Sequence, residues 1–243
     1  MKTLWSPWHG CHKCSPGCAN CYVYYLDKIR DKDASIVNRS KTNFNLPLKK
    51  NRKGDYKIPS GTEVATCFTS DFFLEEADSW RYEAWEIIKK RRDVNFLICT
   101  KRIERFDVSL PKDWHEGYSN VIIAVTAENQ KMADIRVPIL LNIKAKRKMI
   151  LVAPILEYVD LKPYLKTGEI EQVSVGGESY QNARVCDFSW IKKIYLDCKL
   201  YNVKFDFHQT GSSFLKDGKL YKIKHHEEYQ QAKKGMQVLA KLK

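Results

Sequence analysis

No stretch of the 243-residue sequence stays apolar for the ~18 positions a membrane-spanning helix requires, so no membrane partner is expected. The opening residues MKTLWSPWHGC lack the ~7–15-residue apolar core of a secretory leader, and a cytoplasmic chain is expected. Repeats, low-complexity tracts and long linkers are missing too. Acidic residues are scarce: 29 Asp and Glu stand against 42 Lys and Arg, a formal charge of +13. That balance points to an anionic partner, a nucleic acid or a nucleotide-like anion; a generally basic solvated surface is the plainer reading. What is present is enough for a core, with 44% hydrophobic and 29% charged residues. Fibrous, disordered and small disulfide-stapled chains are excluded. Eight cysteines in a reducing compartment are expected as thiols or metal ligands.

Short β-branched and aromatic runs alternate with amphipathic stretches. Strands are expected over 2–8, 63–70, 94–100, 120–127, 148–155, 171–177 and 203–209. Helices are expected over 20–31, 79–92 and 188–200, with another over 129–143 that breaks near Pro138. Strand–helix alternation at this spacing means parallel strands joined by crossover helices. The expected fold is α/β, a partial or closed TIM-like (β/α) barrel over residues 1–223, with a doubly wound open sheet as the alternative. Residues 224–243 read as a polar C-terminal helix with little core.

In either architecture, function belongs at the C-terminal ends of the strands. Those ends are polar: Ser70-Asp71, Thr100-Lys101-Arg102, Thr126 with Glu128 and Asn129, Gly176-Gly177-Glu178-Ser179, and His208-Gln209. A shared ligand site explains them together better than chance strand endings do. Each has a plainer reading: Asp71 as a helix cap, Lys101 and Arg102 as a solvated helix start, Arg184 as a surface ion pair, His208 as a satisfied core histidine. The run Lys49-Lys50-Asn51-Arg52-Lys53, with Phe44 and Tyr56 nearby to stack on bases, is the better nucleic-acid candidate. KKRR at 89–92 suits a helix C-terminus for dipole reasons alone.

The strongest local signal is GCHKCSPGCANCY at 10–22, with four thiols in eleven residues. Zinc sites also pair two C-x2-C knuckles, but normally ~15–20 residues apart, against three here. Clustered thiolates suit an iron–sulfur cube better, because its irons are spread out. Zinc and unligated thiols stand as the other two readings.

Cys14-x3-Cys18-x2-Cys21 followed by Tyr22 resembles the motif of radical S-adenosylmethionine enzymes. A closer resemblance covers nearly the whole chain. WSPWHGCHKCSPGCANCY, FTSDFF, CTKR, AVTAENQKMADIRVP, VGGES with Arg184, and FHQTG occur in the order seen in a family of phage and bacterial three-cysteine-motif proteins of unknown function, itself radical-enzyme-like. That family places its cysteines at Cys11, Cys18 and Cys21, whereas the superfamily spacing selects Cys14, Cys18 and Cys21. Ala153 stands where the family usually has Glu, and His208 and Thr210 where it often has Lys and Trp. The resemblance implies a [4Fe–4S] cluster on three of the four cysteines, S-adenosylmethionine as cofactor, an electron donor as partner, and reductive cleavage to a 5′-deoxyadenosyl radical. From their places at the strand ends, cofactor contacts are expected from Ser70, Asp71, Lys101, Thr126, Glu128, Gly176, Gly177, Glu178, His208 and Gln209, and substrate contacts from Arg102, Asn129 and Arg184. The alternatives are a non-catalytic iron–sulfur or zinc nucleic-acid-binding module, and a phosphate-substrate barrel enzyme with a structural metal.

Overall fold

Seven of the β-branched runs become parallel strands laid down in sequence order: β1 (Lys2–Trp5), β2 (Glu63–Thr66), β3 (Asn95–Thr100), β4 (Val121–Thr126), β5 (Lys148–Val152), β6 (Ile170–Gly176) and β7 (Lys204–Gln209). The computed structural model describes residues 2–242. The sheet curls into a half-barrel, so the α/β expectation holds with an open, TIM-like arrangement. Both faces of the central strands are apolar, as a parallel sheet with crossovers demands, and Val121–Thr126 and Lys148–Val152 are buried along their whole length.

The helices are α1 (Tyr22–Lys28), α2 (Asp78–Lys90), α3 (Gln130–Asn142), α4 (Lys162–Leu165), α5 (Phe188–Leu200) and α6 (Glu228–Leu239). Helices α2 to α6 cover the convex side, where Phe96, Ile98, Ile123, Val125, Ile150, Val173 and Val175 join Trp85, Val137 and Ile191 in the main core. Alternation sends Leu97, Ile122, Ala124, Met149 and Leu151 to the concave side as a separate apolar patch. Register continues that face from Leu151 to Ser174 and from Ser174 to Asp206.

Several elements depart from the periodicity. The second strand stops at Thr66 because Cys67 takes a positive φ of 63°. Helix α3 runs unbroken through Pro138. Pro138 and Asp134, whose carbonyl loses its i+4 donor, both lie on the exposed side, while Val137 and Leu140 are fully buried and hold the helix in place. Within the C-terminal helix, Ala232 and Leu239 are fully buried, and α6 packs on β7. A hairpin, Ser213–Lys216 with Lys219–Lys222, was not expected from the sequence pattern.

The long insertion before β2 is tied down by Arg91, which is completely buried. Its guanidinium bonds the Ile58 carbonyl at 2.6 Å, the Pro47 carbonyl, and Asp93, and lies 3.9 Å from the Tyr56 ring. Phe44 is buried under the Arg39 guanidinium, which removes it as a base-stacking surface. Tyr56 remains 38% exposed.

Candidate functional site

The loop that follows β1 crosses the C-terminal ends of the sheet and carries Cys11, Cys14, Cys18 and Cys21. A 3-10 turn at Pro16–Cys18 leads into α1. None of the four is in a disulfide; Cys14 is exposed and the others are half-buried. Three strand ends hold this loop from below.

The first anchor is Glu128, after β4, whose side chain is fully buried. Its Oε2 receives Arg136 Nη1 at 2.8 Å, while Oε1 accepts the Gly17 backbone N–H at 3.2 Å and the Ser15 hydroxyl. A Cβ on Gly17 would stand 3.0 Å from that carboxyl carbon, so glycine permits the loop to settle on Glu128. Burial alone would raise the Glu128 pKa, but Arg136, Lys101 and the Ser15 hydroxyl outweigh it and hold the carboxyl below its usual range.

The second anchor is Glu178, after β6. Its Oε2 accepts Asn20 Nδ2 at 3.0 Å, Arg184 Nε at 3.0 Å and the Arg184 backbone N–H at 2.9 Å, and Arg184 Nη2 reaches Oε1. The same Nη2 donates to the Pro16 carbonyl at 3.0 Å. Burial works against the charged form here too, and the bidentate Arg184 contact overcomes it, so the Glu178 pKa is lowered.

The third anchor is Arg102, after β3. It donates to the His12 carbonyl at 2.8 Å and to Cys11 Sγ at 3.7 Å, and stands 3.3 Å from Asp71 Oδ2. Asp71 is itself buried and accepts from Thr100 Oγ1 at 2.6 Å, the Lys101 N–H at 2.8 Å and the Phe73 N–H at 3.0 Å.

The thiols are not equivalent. Burial, followed by the Asp71 charge, pushes Cys11 up to about 11. The Cys14 thiol hydrogen-bonds Cys18 and favours thiolate at Cys18; burial opposes this, but nearby Lys101 and the Ser15 hydroxyl at 3.7 Å add to it, and the Cys18 pKa falls well below the thiol range. Lys101 keeps its charge despite burial because Cys18, Cys99 and Glu128 surround it, and its Nζ lies 3.5 Å from Thr126 Oγ1.

The polar strand ends read from the sequence therefore converge on one rim, but many of them serve the loop or the sheet. Asn129 caps α3 by accepting the Met132 N–H at 2.9 Å. Ser70 donates to the Gly10 carbonyl. Gln209 Nε2 donates to the Gly177 carbonyl at 2.7 Å, and the Gly177 N–H returns to the Gln209 carbonyl at 3.1 Å. His208 and Gly176 face each other across β6 and β7. Sequence reading missed the anchoring partners Ser15, Gly17, Asn20 and Arg136. The only advance signal was Arg136 lying two helical turns beyond Glu128.

These features define an α/β half-barrel with a four-thiol loop fastened over the C-terminal ends of its strands. The chain belongs to the family described as Protein of unknown function (DUF5131), matched over residues 1–238. No curated protein and no solved structure matches it. Among the described residues, no helix is long and apolar enough to cross a membrane.

Proposed function

We propose that the chain is an iron–sulfur enzyme of the radical S-adenosylmethionine type, with a [4Fe–4S] cluster held by three of Cys11, Cys14, Cys18 and Cys21. The observation that carries this reading is the placement of four thiols over the mouth of the half-barrel, on a loop pinned by two buried carboxylates. The donor set fits: Cys18 is already poised as thiolate, and cations stand beside the sulfurs at Lys101 and Arg102. Thiols spaced along a loop match a cluster whose metal atoms are spread apart.

When bound, the cluster would supply one electron to the cofactor's sulfonium and generate the radical that takes hydrogen from substrate. The chain's own residues do the rest. Glu128 and Glu178 fix the loop against the strand ends. Lys101 and Arg102 offset the negative charge of the thiolates. The concave patch of Leu97, Ile122, Met149 and Leu151 offers a surface that excludes water from the reacting groups. Anaerobic purification followed by iron and sulfide assay, and detection of 5′-deoxyadenosine after dithionite, tests the reading. Iron near four per chain with cofactor cleavage supports it; stoichiometric zinc without cleavage overturns it.

A second reading, a non-catalytic metal-containing nucleic-acid-binding module, draws on one separate observation. Arg91 ties the insertion to the end of α2 through the Pro47 and Ile58 carbonyls, and Lys49, Lys50, Arg52 and Lys53 of the insertion and Lys90 and Arg92 beside Arg91 are all exposed. It requires a steep fall in DNA or RNA affinity with salt and no cofactor turnover.

A further inference from the structure

The hairpin of Ser213–Lys216 and Lys219–Lys222 leaves one side of its outer strand without partners. Asp217 and Gly218 turn the chain with φ of 51° and 73°, the left-handed pair of a two-residue turn. Phe214 faces Tyr221 and Leu215 faces Leu220 in unbroken register. The inner strand pairs on its far side with Cys186–Asp187, so Lys219–Lys222 is an edge of a three-stranded sheet. Along an antiparallel strand, successive residues direct their backbone groups to opposite sides. The Ile223 N–H bonds the Ser212 carbonyl at 3.0 Å, which puts the backbone groups of Tyr221 and Lys219 on the inner side. The N–H and C=O of Leu220 and Lys222 therefore point outward. Among the described residues, no hydrogen bond reaches these outward groups.

The side chains along this edge are exposed and mostly of one charge. Every residue of the outer strand is exposed, with Leu220 at 49% and Tyr221 at 38%. Over residues 213–224, lysines stand at 216, 219, 222 and 224 against the single acid Asp217. Lys222 Nζ donates to Ser213 Oγ at 3.2 Å, and Lys219 Nζ lies 5.2 Å from the Tyr221 ring. The lysines decide what can cover the edge. A second copy would bring the lysines of both chains together, and like charges across a ladder are destabilising. An acidic extended segment meets the same lysines with opposite charge and satisfies the open backbone groups.

We infer that the outer strand of this hairpin receives an extended acidic segment of a partner protein as a fourth strand. Running antiparallel, the segment places an acidic residue opposite Lys222 and a β-branched or aromatic residue opposite Tyr221. An apolar residue follows opposite Leu220, and a second acid opposite Lys219. Two N–H groups of the segment donate to the Leu220 and Lys222 carbonyls, and the Leu220 and Lys222 N–H groups donate in return. Neither the cysteine loop nor a cluster takes part in this contact, which stands apart from the radical-enzyme reading.

The probe is the peptide acetyl-Ser-Glu-Val-Leu-Glu-Ser-amide, titrated into the full ¹⁵N-labelled chain while amide hydrogen exchange is followed by NMR. In the free chain, the Leu220 and Lys222 amides should exchange freely and that of Tyr221 more slowly. Near saturation the peptide should slow Leu220 and Lys222 about tenfold. Methylating the peptide nitrogens of its first Glu and of Leu should abolish binding, and replacing both Glu by Lys should weaken it about tenfold. Leu220→Pro removes an outward donor and no bond within the hairpin, because proline is tolerated where its nitrogen faces solvent. It should abolish the response while Tyr221 stays protected. If that variant unfolds the hairpin, the methylated peptide and the double variant Lys219→Glu, Lys222→Glu decide in its place, and both should fail to bind. Equal binding of the methylated peptide would reduce the contact to loose charge attraction and overturn the proposal. So would free exchange of Leu220 and Lys222 at millimolar peptide. Slowing that rises with protein concentration alone would assign the edge to a second copy. Slowing by a thymidine oligonucleotide and not by the peptide would assign it to nucleic acid; either result overturns the proposal.

Discussion

Glu128 accepts the backbone N–H of Gly17 at 3.2 Å, across 111 residues of sequence. This contact joins the end of the fourth strand to the middle of the cysteine loop, and it exists because position 17 has no side chain to keep the carboxylate away.

Glu128→Ala should therefore cost more than a surface charge would. Arg136, whose side chain is 5% exposed, would be left with a buried, unpaired guanidinium. Loss of one partner of a buried ion pair costs about 3–5 kcal/mol. Urea unfolding of wild type and variant should show a loss of this size; a loss under ~1 kcal/mol would mean that water screens the pair.

Acid should loosen the same anchors. Glu128 and Glu178 both have folded pKa values below those of the unfolded chain. The unfolded chain therefore binds more protons at low pH, and their stabilising contribution is complete above the ordinary glutamate pKa of ~4.3 and lost as pH falls through the lower folded values. The stability difference between wild type and Glu178→Gln should be constant above about pH 5.5 and shrink below about pH 4. A difference that grows on acidification would reverse the assigned sign.

In chelator-treated, metal-free protein the thiols should react in a fixed order. Cys18 is held well below the thiol range and Cys11 is pushed up to about 11, so at pH 6 iodoacetamide should label Cys18 first and Cys11 scarcely at all. Cys14→Ala removes the largest cause of the Cys18 shift and should slow its labelling. Peptide mass spectrometry reads both results, and equal labelling of Cys11 and Cys18 would contradict the assignment.

Arg91→Ala should free the insertion. Its guanidinium holds the Pro47 and Ile58 carbonyls from inside the core, and the variant leaves those acceptors without their donor. Limited trypsin digestion should then cut within Lys49–Lys53 much faster than in wild type, with a stability loss of about 1–3 kcal/mol for each carbonyl left unpaired. Unchanged cleavage would show that the insertion is held by other contacts.

The sequence by itself determined the alternation of strands and helices. A run such as VIIAVT has one environment that suits it, a strand covered on both faces, and residues 188–200 form the helix that their spacing requires. It also determined that the polar segments would share one rim, since parallel strands joined by crossovers put all their C-terminal ends on the same side. Tertiary structure alone decided what those polar residues touch. Glu178 meets Asn20 across 158 residues, His208 turns onto Ser174 through a bulge, and α3 continues past Pro138 because its other face is packed. Local periodicity follows from bond geometry and is written in neighbouring residues. The pairing of a carboxylate with a distant donor depends on how the sheet curls, and no short stretch of sequence contains that information.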